Sequence, residues 1–220
     1  MPKIKIDKES VIKEAAYIAN MIGIENLSLK TLASQLGVKS PSLYNHIDGL
    51  DDLKQQLMLY GWKELEDKII QSVIGFSGYD AIRAMCYAFH EYAIENQGVF
   101  STMLWYNQFE NEQMNEVTSK MFSIFFKITK SLNISQDNCI HLVRMFRSFL
   151  EGFALLENHN AFGNTQLIKD SFELSIDILI GLPLWVIWYF VKDLFIVLLV
   201  NSSLLLVMGL YKILFAIFKT

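Results

Sequence analysis

Cysteine and proline are nearly missing from this 220-residue chain, at two and three residues, and glycine is sparse at eleven. Cys86 and Cys139 have neither a C-x-x-C spacing nor a histidine cluster beside them, which excludes a disulfide scaffold and a cysteine-based metal site and leaves reduced, buried thiols. With so few helix breakers, few alternating β-runs and many Leu, Met, Phe and Lys at helical spacing, the chain is expected to be all-α. It has no glycine-rich phosphate loop, no G-x-S-x-G elbow and no H-E-x-x-H pair, so no catalytic site is read and neither an enzyme nor a cofactor is expected. A positive net charge is also missing, the formal value being −4. That does not exclude a nucleic-acid partner, because the field that matters is local to the contact. Lys3, Lys5, Lys8, Lys13, Lys30 and Lys39 leave the N-terminal end positive within an acidic chain. The same end contains no apolar signal core, so a cytoplasmic location is expected.

What is present begins with SLKTLASQLGVKSPSLYNHI over 28–47. Ser28 can cap a helix, and Leu29, Leu32, Ala33 and Leu36 follow at the spacing of one buried helical face. Gly37 stands where that helix must end, in a conformation glycine adopts at little cost. Ser40 can cap a second short helix with Pro41 in its first turn. Leu43 and Ile47 face inward at i and i+4, which turns Lys39, Ser42, Tyr44, Asn45 and His46 outward or to the edges. Donors and cations so displayed suit phosphates and base edges, and a helix, a glycine turn and a second helix is the arrangement that lays one helix in the major groove. Such corners also occur in helical proteins that never touch DNA, so the corner alone is a weak signal. Asp48-Gly-Leu-Asp-Asp-Leu53 then opens a third helix, its acidic residues suited to the positive end of a helix dipole.

An amphipathic first helix (Val11, Ala15, Ala16, Ile18, Ala19, Ile22, Gly23) leads into LSLKTLASQLGVKSPSLYNHIDGLDDLKQQL, and this whole region resembles the DNA-binding domain of the TetR/AcrR regulators. Leu43-Tyr44-x-His46-Ile47 and Asp52-Leu-Lys54 are the most specific parts. The resemblance implies that Lys39, Ser40, Pro41 and Ser42 meet base edges, while Tyr44, His46, Thr31 and Lys54 contact phosphates. Ile47 stands where the family usually has an aromatic residue, a matter of packing, and Asn45 where relatives often carry a cation. EYAIENQGVFSTMLW and VRMFRSFLEGFALLENHNAFG are similar to the effector domain of one subgroup, which implies a homodimer on a double-stranded operator. The expected organisation is a three-helix DNA-binding domain over 1–48, a helical effector-binding and dimerisation domain over 49–180, and a hydrophobic tail over 181–220.

Helices are predicted over 50–73, 79–95, 99–106, 112–133, 136–158 and 165–179. Phe146, Phe149, Leu150, Phe153 and Leu156 form one stripe suited to a dimer interface, with Phe172, Leu174, Ile176, Ile178 and Leu179 as its partner helix; an intramolecular core competes for about half of them. Met85, Phe89, Tyr92, Met103, Trp105, Met121, Phe125 and Phe149 are rich in methionine and aromatic rings, a composition suited either to a plain core or to a pocket for a small apolar effector. His90 with Glu91 and His141 with Arg144 are candidate polar anchors, whereas Glu151 and Glu157 read as solvated or interfacial.

The tail is far more apolar than anything before it. Leu194 to Tyr211 carries no charge, Trp185, Trp188, Tyr189 and Tyr211 sit near its ends, and Lys192, Lys212 and Lys219 can snorkel. Three accounts stand for 184–218: a membrane anchor holding the chain at the inner face of the cell membrane, an apolar hairpin packed on the dimer or a membrane partner, or a non-native extension. The leading function is a DNA-binding, ligand-responsive transcriptional repressor. The alternative is a membrane-associated helical interaction protein whose head binds a protein partner.

Overall fold

Asp7 opens the first helix, α1 (Lys8–Ile22), by a reciprocal cap: its carboxylate accepts the Ser10 N–H at 2.8 Å while Ser10 Oγ accepts the Asp7 N–H at 3.0 Å. Hydrogen bonds to the carboxyl from the Ser10 N–H, first, and from the Ser10 hydroxyl hold Asp7 below its ordinary pKa. Val11, Ala15, Ala16, Ile18 and Ala19 bury one face, and Gly23 ends the helix at φ 84°. Ile22, expected on that face, is 45% exposed, because the packed stripe ends one turn earlier. The computed structural model describes residues 6–104, 112–132 and 134–181.

After a 3₁₀ turn at Ile24–Asn26 come α2 (Leu29–Gln35), a 3₁₀ helix at Ser40–Asn45, α3 (Leu50–Val73), α4 (Gly78–Glu95) and α5 (Gln97–Met103). α6 (Glu112–Thr129), a 3₁₀ turn at Lys130–Leu132, α7 (Gln136–Asn158) and α8 (168–181) complete the described chain, which is helical without strands. The predicted ends at Val73, Glu95 and Asn158 agree. α6 tightens into 3₁₀ turns after Thr129, and of the predicted end of α5, Trp105 and Tyr106 lie outside the described residues.

Contacts divide the chain into Met1–Phe172 and Glu173–Thr220; of the second unit, only the helical residues 173–181 are described. In the first unit α3 is the axis, packed by α4, α5, α6 and α1, with Leu53, Leu57 and Leu65 fully buried. Gly61 sets the distance to α5. A Cβ there would stand 2.6 Å from Met103 Sδ and 2.7 Å from Val99 Cγ1, so only a bare backbone lets the two helices come this close.

The proposed dimer stripe on α7 needs correction. Phe146, Leu150 and Phe153 are buried inside one chain, Phe146 against Phe125 and Phe153 among Phe149, Phe162 and Phe172. The exposed apolar residues of α7 are Ile140, Leu155 and Leu156, at 37%, 40% and 46%. Within 173–181, Leu174 and Ile178 are exposed and Ile176 is buried. Among the described residues no helix is long and apolar enough to cross a membrane, and the segment 184–218 lies outside them.

Candidate nucleic-acid interface and effector cavity

The helix-turn-helix corner is built as its residues dictate. Ser28 Oγ accepts the Thr31 N–H at 3.1 Å and lies 2.8 Å from Thr31 Oγ1, so one hydroxyl caps α2 and orients the next. α2 closes in a Schellman turn: the Val38 N–H reaches Ala33 O at 2.9 Å, the Gly37 N–H reaches Ser34 O at 3.2 Å, and Gly37 takes φ 66°. Replacing Ser28 by Ala is expected to destabilise the fold by about 1 kcal/mol; urea unfolding measures it, and an unchanged midpoint would remove the capping role.

The second element differs from expectation in form. Ser40–Asn45 is a 3₁₀ helix rather than an α-helix, Lys39 occupies the cap position, and Ser40 makes no side-chain cap. Six residues with Pro41 near the start offer few i→i+4 bonds, and short segments settle readily into the tighter helix. The Ser42 N–H accordingly bonds to Lys39 O and the His46 N–H to Leu43 O, both at 2.8 Å.

The facing of the side chains nevertheless agrees with the sequence. Leu43 and Ile47 are 0% and 2% exposed, pinning the element to the core. Tyr44 is 58% exposed; Thr31, Lys39, Pro41 and Asn45 are exposed, while Ser40, Ser42, His46 and Lys54 are half-exposed. Lys54 follows the first turn of α3, in which Asp52 accepts the Asp48 N–H at 2.9 Å and the Gln56 amide at 3.2 Å. That carboxylate acts in the acceptor role of a cap, since Gly49 has no side chain.

The head is joined to the core by a contact that sequence reasoning missed. Asn20 on α1 donates to Asn96 Oδ1 at 2.9 Å and accepts the Val99 N–H of α5 at 2.9 Å, which satisfies one of the amides left open at the start of that helix. Gly98 is buried against α1; a Cβ there would lie 1.9 Å from Ala19 O. An asparagine near a helix end and a glycine in a short apolar helix are ambiguous in sequence, and only their meeting gives them a role.

A cavity of about 190 Å³ lies among four helices. Its walls come from Trp62 and Ile69 of α3, Met85 and Phe89 of α4, Thr118, Met121, Phe122 and Phe125 of α6, and Val143, Phe146, Arg147 and Leu150 of α7. Four of the eight candidate pocket residues are therefore there: Met85, Phe89, Met121 and Phe125. Tyr92 and Met103 are buried elsewhere in the core, with burial raising the Tyr92 hydroxyl's pKa; Phe149 stacks on Phe172 at 6.0 Å; and Trp105 lies outside the described residues. A readable signal for the missed wall did exist, since Thr118, Met121, Phe122 and Phe125 fall at i, i+3, i+4 and i+7, as do Val143, Phe146, Arg147 and Leu150.

The polar anchors fall differently from the sequence reading. His90 pairs with Glu157 at 2.7 Å, not with Glu91, and its ring stacks on Phe172 with centroids 4.1 Å apart. Glu157, read as solvated or interfacial, thus ties α7 to α4. His141 and Arg144 are exposed and line no part of the cavity. Arg147 pairs with Glu151 one turn away, and burial raises the pKa of that carboxyl against the opposing pull of the guanidinium. Cys86 is buried, its thiol pushed up to about 12 by desolvation, and so it is an inert core residue.

Comparison with known proteins bears on both halves. Residues 82–179 match the model of the tetracyclin repressor-like C-terminal domain. The chain is 32% identical over 179 residues to the uncharacterized HTH-type transcriptional regulator YobS of Bacillus subtilis, covering 80% of this chain and 91% of that protein. It is 27% identical over 154 residues to an uncharacterized HTH-type transcriptional regulator of Mycobacterium tuberculosis, covering 70% and 71%. Among solved structures, a Rhodococcus protein of unknown function superposes with a TM-score of 0.69 at 15% identity, over 82% of this chain and 97% of that one. A TetR variant from Acinetobacter baumannii in complex with minocycline superposes with a TM-score of 0.63 at 17% identity, over 80% and 96%.

Proposed function

Because this chain belongs to the TetR family of helix-turn-helix transcriptional regulators and is a DNA-binding regulator, we propose that it acts as a homodimeric repressor that leaves its operator when a small apolar molecule enters the four-helix cavity. The observation that carries this reading is the pairing of a displayed polar face (Lys39, Pro41, Tyr44 and their neighbours), locked from behind by Leu43 and Ile47, with a cavity whose walls are almost wholly apolar. Lys39, Ser40, Pro41 and Ser42 meet base edges, and Thr31, Tyr44, His46 and Lys54 hold phosphates. Residues 1–48 serve as the reading head, 49–180 bind effector and partner subunit, and 181–220 form an appended tail.

One short reading element buries little area on DNA, so two heads about 34 Å apart supply both affinity and half-site geometry. Leu155 and Leu156 are exposed apolar residues available to the partner subunit. Effector binding shifts the population toward a core geometry whose heads no longer match the half-sites, a mechanism that needs only differential affinity for the two states. A salt-dependent gel shift on the DNA upstream of the chain's own coding region tests the reading. A shift at low salt that weakens as salt rises is expected, and the absence of any shift at low salt would refute DNA binding.

The tail contributes a membrane association resting on hydropathy alone. Full-length protein is expected in the membrane pellet after cell fractionation, and chain truncated after residue 180 in the supernatant. Soluble, monodisperse full-length protein would rule out the anchor.

A further inference from the structure

Arg147 stands where helical periodicity calls for an apolar residue. Val143, Phe146 and Leu150 share its inward stripe, and on the cavity wall it is the one charged side chain among the described residues. Trp62 of α3 and Thr118 of α6 are the other hydrogen-bonding side chains of the wall, and the Thr118 hydroxyl already reaches Met114 O at 3.0 Å and Asn115 O at 3.2 Å. A guanidinium carries only donors, in a planar fork that matches a carboxylate. A cation brought to an apolar wall is costly unless it is paired. Here its partner is Glu151, which sits one turn along α7 and does not itself line the cavity.

Resting on the effector reading of this cavity, we propose that its ligand is a small lipophilic monocarboxylate whose carboxylate takes the Arg147 guanidinium in competition with Glu151. The walls of Met121, Phe122, Phe125 and Phe146 receive the apolar body. Volume limits that body: about 190 Å³ is little more than the ~150 Å³ of an apolar cavity that admits benzene. A cationic lipophile meets like charge at Arg147, and a neutral one forfeits the charge-assisted bond. Glu151 is suited to yield, because burial already disfavours its charged form.

The test uses the full chain with octanoate, its near-isosteric amide octanamide and the cation octylamine, read by calorimetry and by release of operator DNA. Octanoate is expected to bind roughly tenfold or more tighter than octanamide, and octylamine weakest. Arg147→Gln should bring octanoate and octanamide to near equality, Arg147→Lys should retain part of the preference, and Glu151→Gln should tighten octanoate. If a variant does not fold, as judged by circular dichroism, the order of the three probes on the unaltered protein still decides. Octanamide or octylamine binding as well as octanoate would overturn the carboxylate assignment while leaving an effector cavity in place, and so would the failure of all three to bind. Octanoate binding that depends on Arg147 but does not release DNA would uphold the assignment and overturn the effector reading.

Discussion

Joint replacement of Tyr44 and Lys54 by alanine is expected to lower operator affinity by about a hundredfold or more while leaving the fold intact. Both side chains stand clear of the core: Tyr44 is 58% exposed and Lys54 half-exposed near the start of α3. Neither substitution opens a cavity, so melting temperature should move little. In the proposed twofold dimer each change is counted twice, which would remove two of the proposed phenol–phosphate hydrogen bonds and two of the proposed cationic contacts. Hydrogen bonds to charged groups contribute about 1.5–3 kcal/mol each, so even heavy discounting leaves a loss of two decades or more. The two lysines should also lower the slope of log affinity against log salt by about two, a signature that general destabilisation does not produce. Gel shifts across a salt series measure both quantities. Unchanged affinity in the folded double variant would sink the assigned DNA face.

Gly98→Ala is expected to destabilise the first unit by about 3 kcal/mol and lower the melting temperature by roughly 6–12 °C. The added Cβ would lie 1.9 Å from Ala19 O and 2.2 Å from Ala19 C, and both are backbone atoms that no rotamer change can move aside. α1 must back away from α5, which strains or breaks the bonds from Asn20 to Asn96 and to the Val99 N–H. Asn20→Ala separates the two causes: it removes those bonds without overpacking and should cost about 1–2 kcal/mol. Because this contact joins α1 of the proposed reading head to α5 of the proposed effector core, Gly98→Ala should weaken the response of DNA binding to effector more than it weakens effector binding itself. Calorimetric melting and an effector-dependent gel shift report the two effects. A melting temperature equal to that of the unaltered protein would show that the close approach is not required.

Much of the fold was legible because it is local. Ser28 as a cap, Gly37 as a left-handed stop, and the ends at Val73, Glu95 and Asn158 follow from which residues can finish a helix, and the structure has them there. The inward facing of Leu43 and Ile47 is equally local, a matter of i and i+4, and it holds although the element tightened to a 3₁₀ helix. What a periodic stripe leaves open is what lies across from it. Phe146 and Leu150 fit a dimer face and a cavity wall equally well, and α6 on the other side made them the wall.

By itself, then, the sequence determined an all-helical chain with a helix-turn-helix corner whose outward residues could be named in advance, because caps, turns and 3.6-residue periodicity act within a few residues of chain. Tertiary structure alone decided which half of the methionine-rich and aromatic set surrounds open space. It also decided that His90 meets Glu157 across helices, that Arg147 faces an apolar cavity, and that Gly98 rests against Ala19. The physical reason is distance along the chain: Asn20 and Val99 are 79 residues apart, and no local rule of spacing or propensity relates two groups that only packing brings within 2.9 Å.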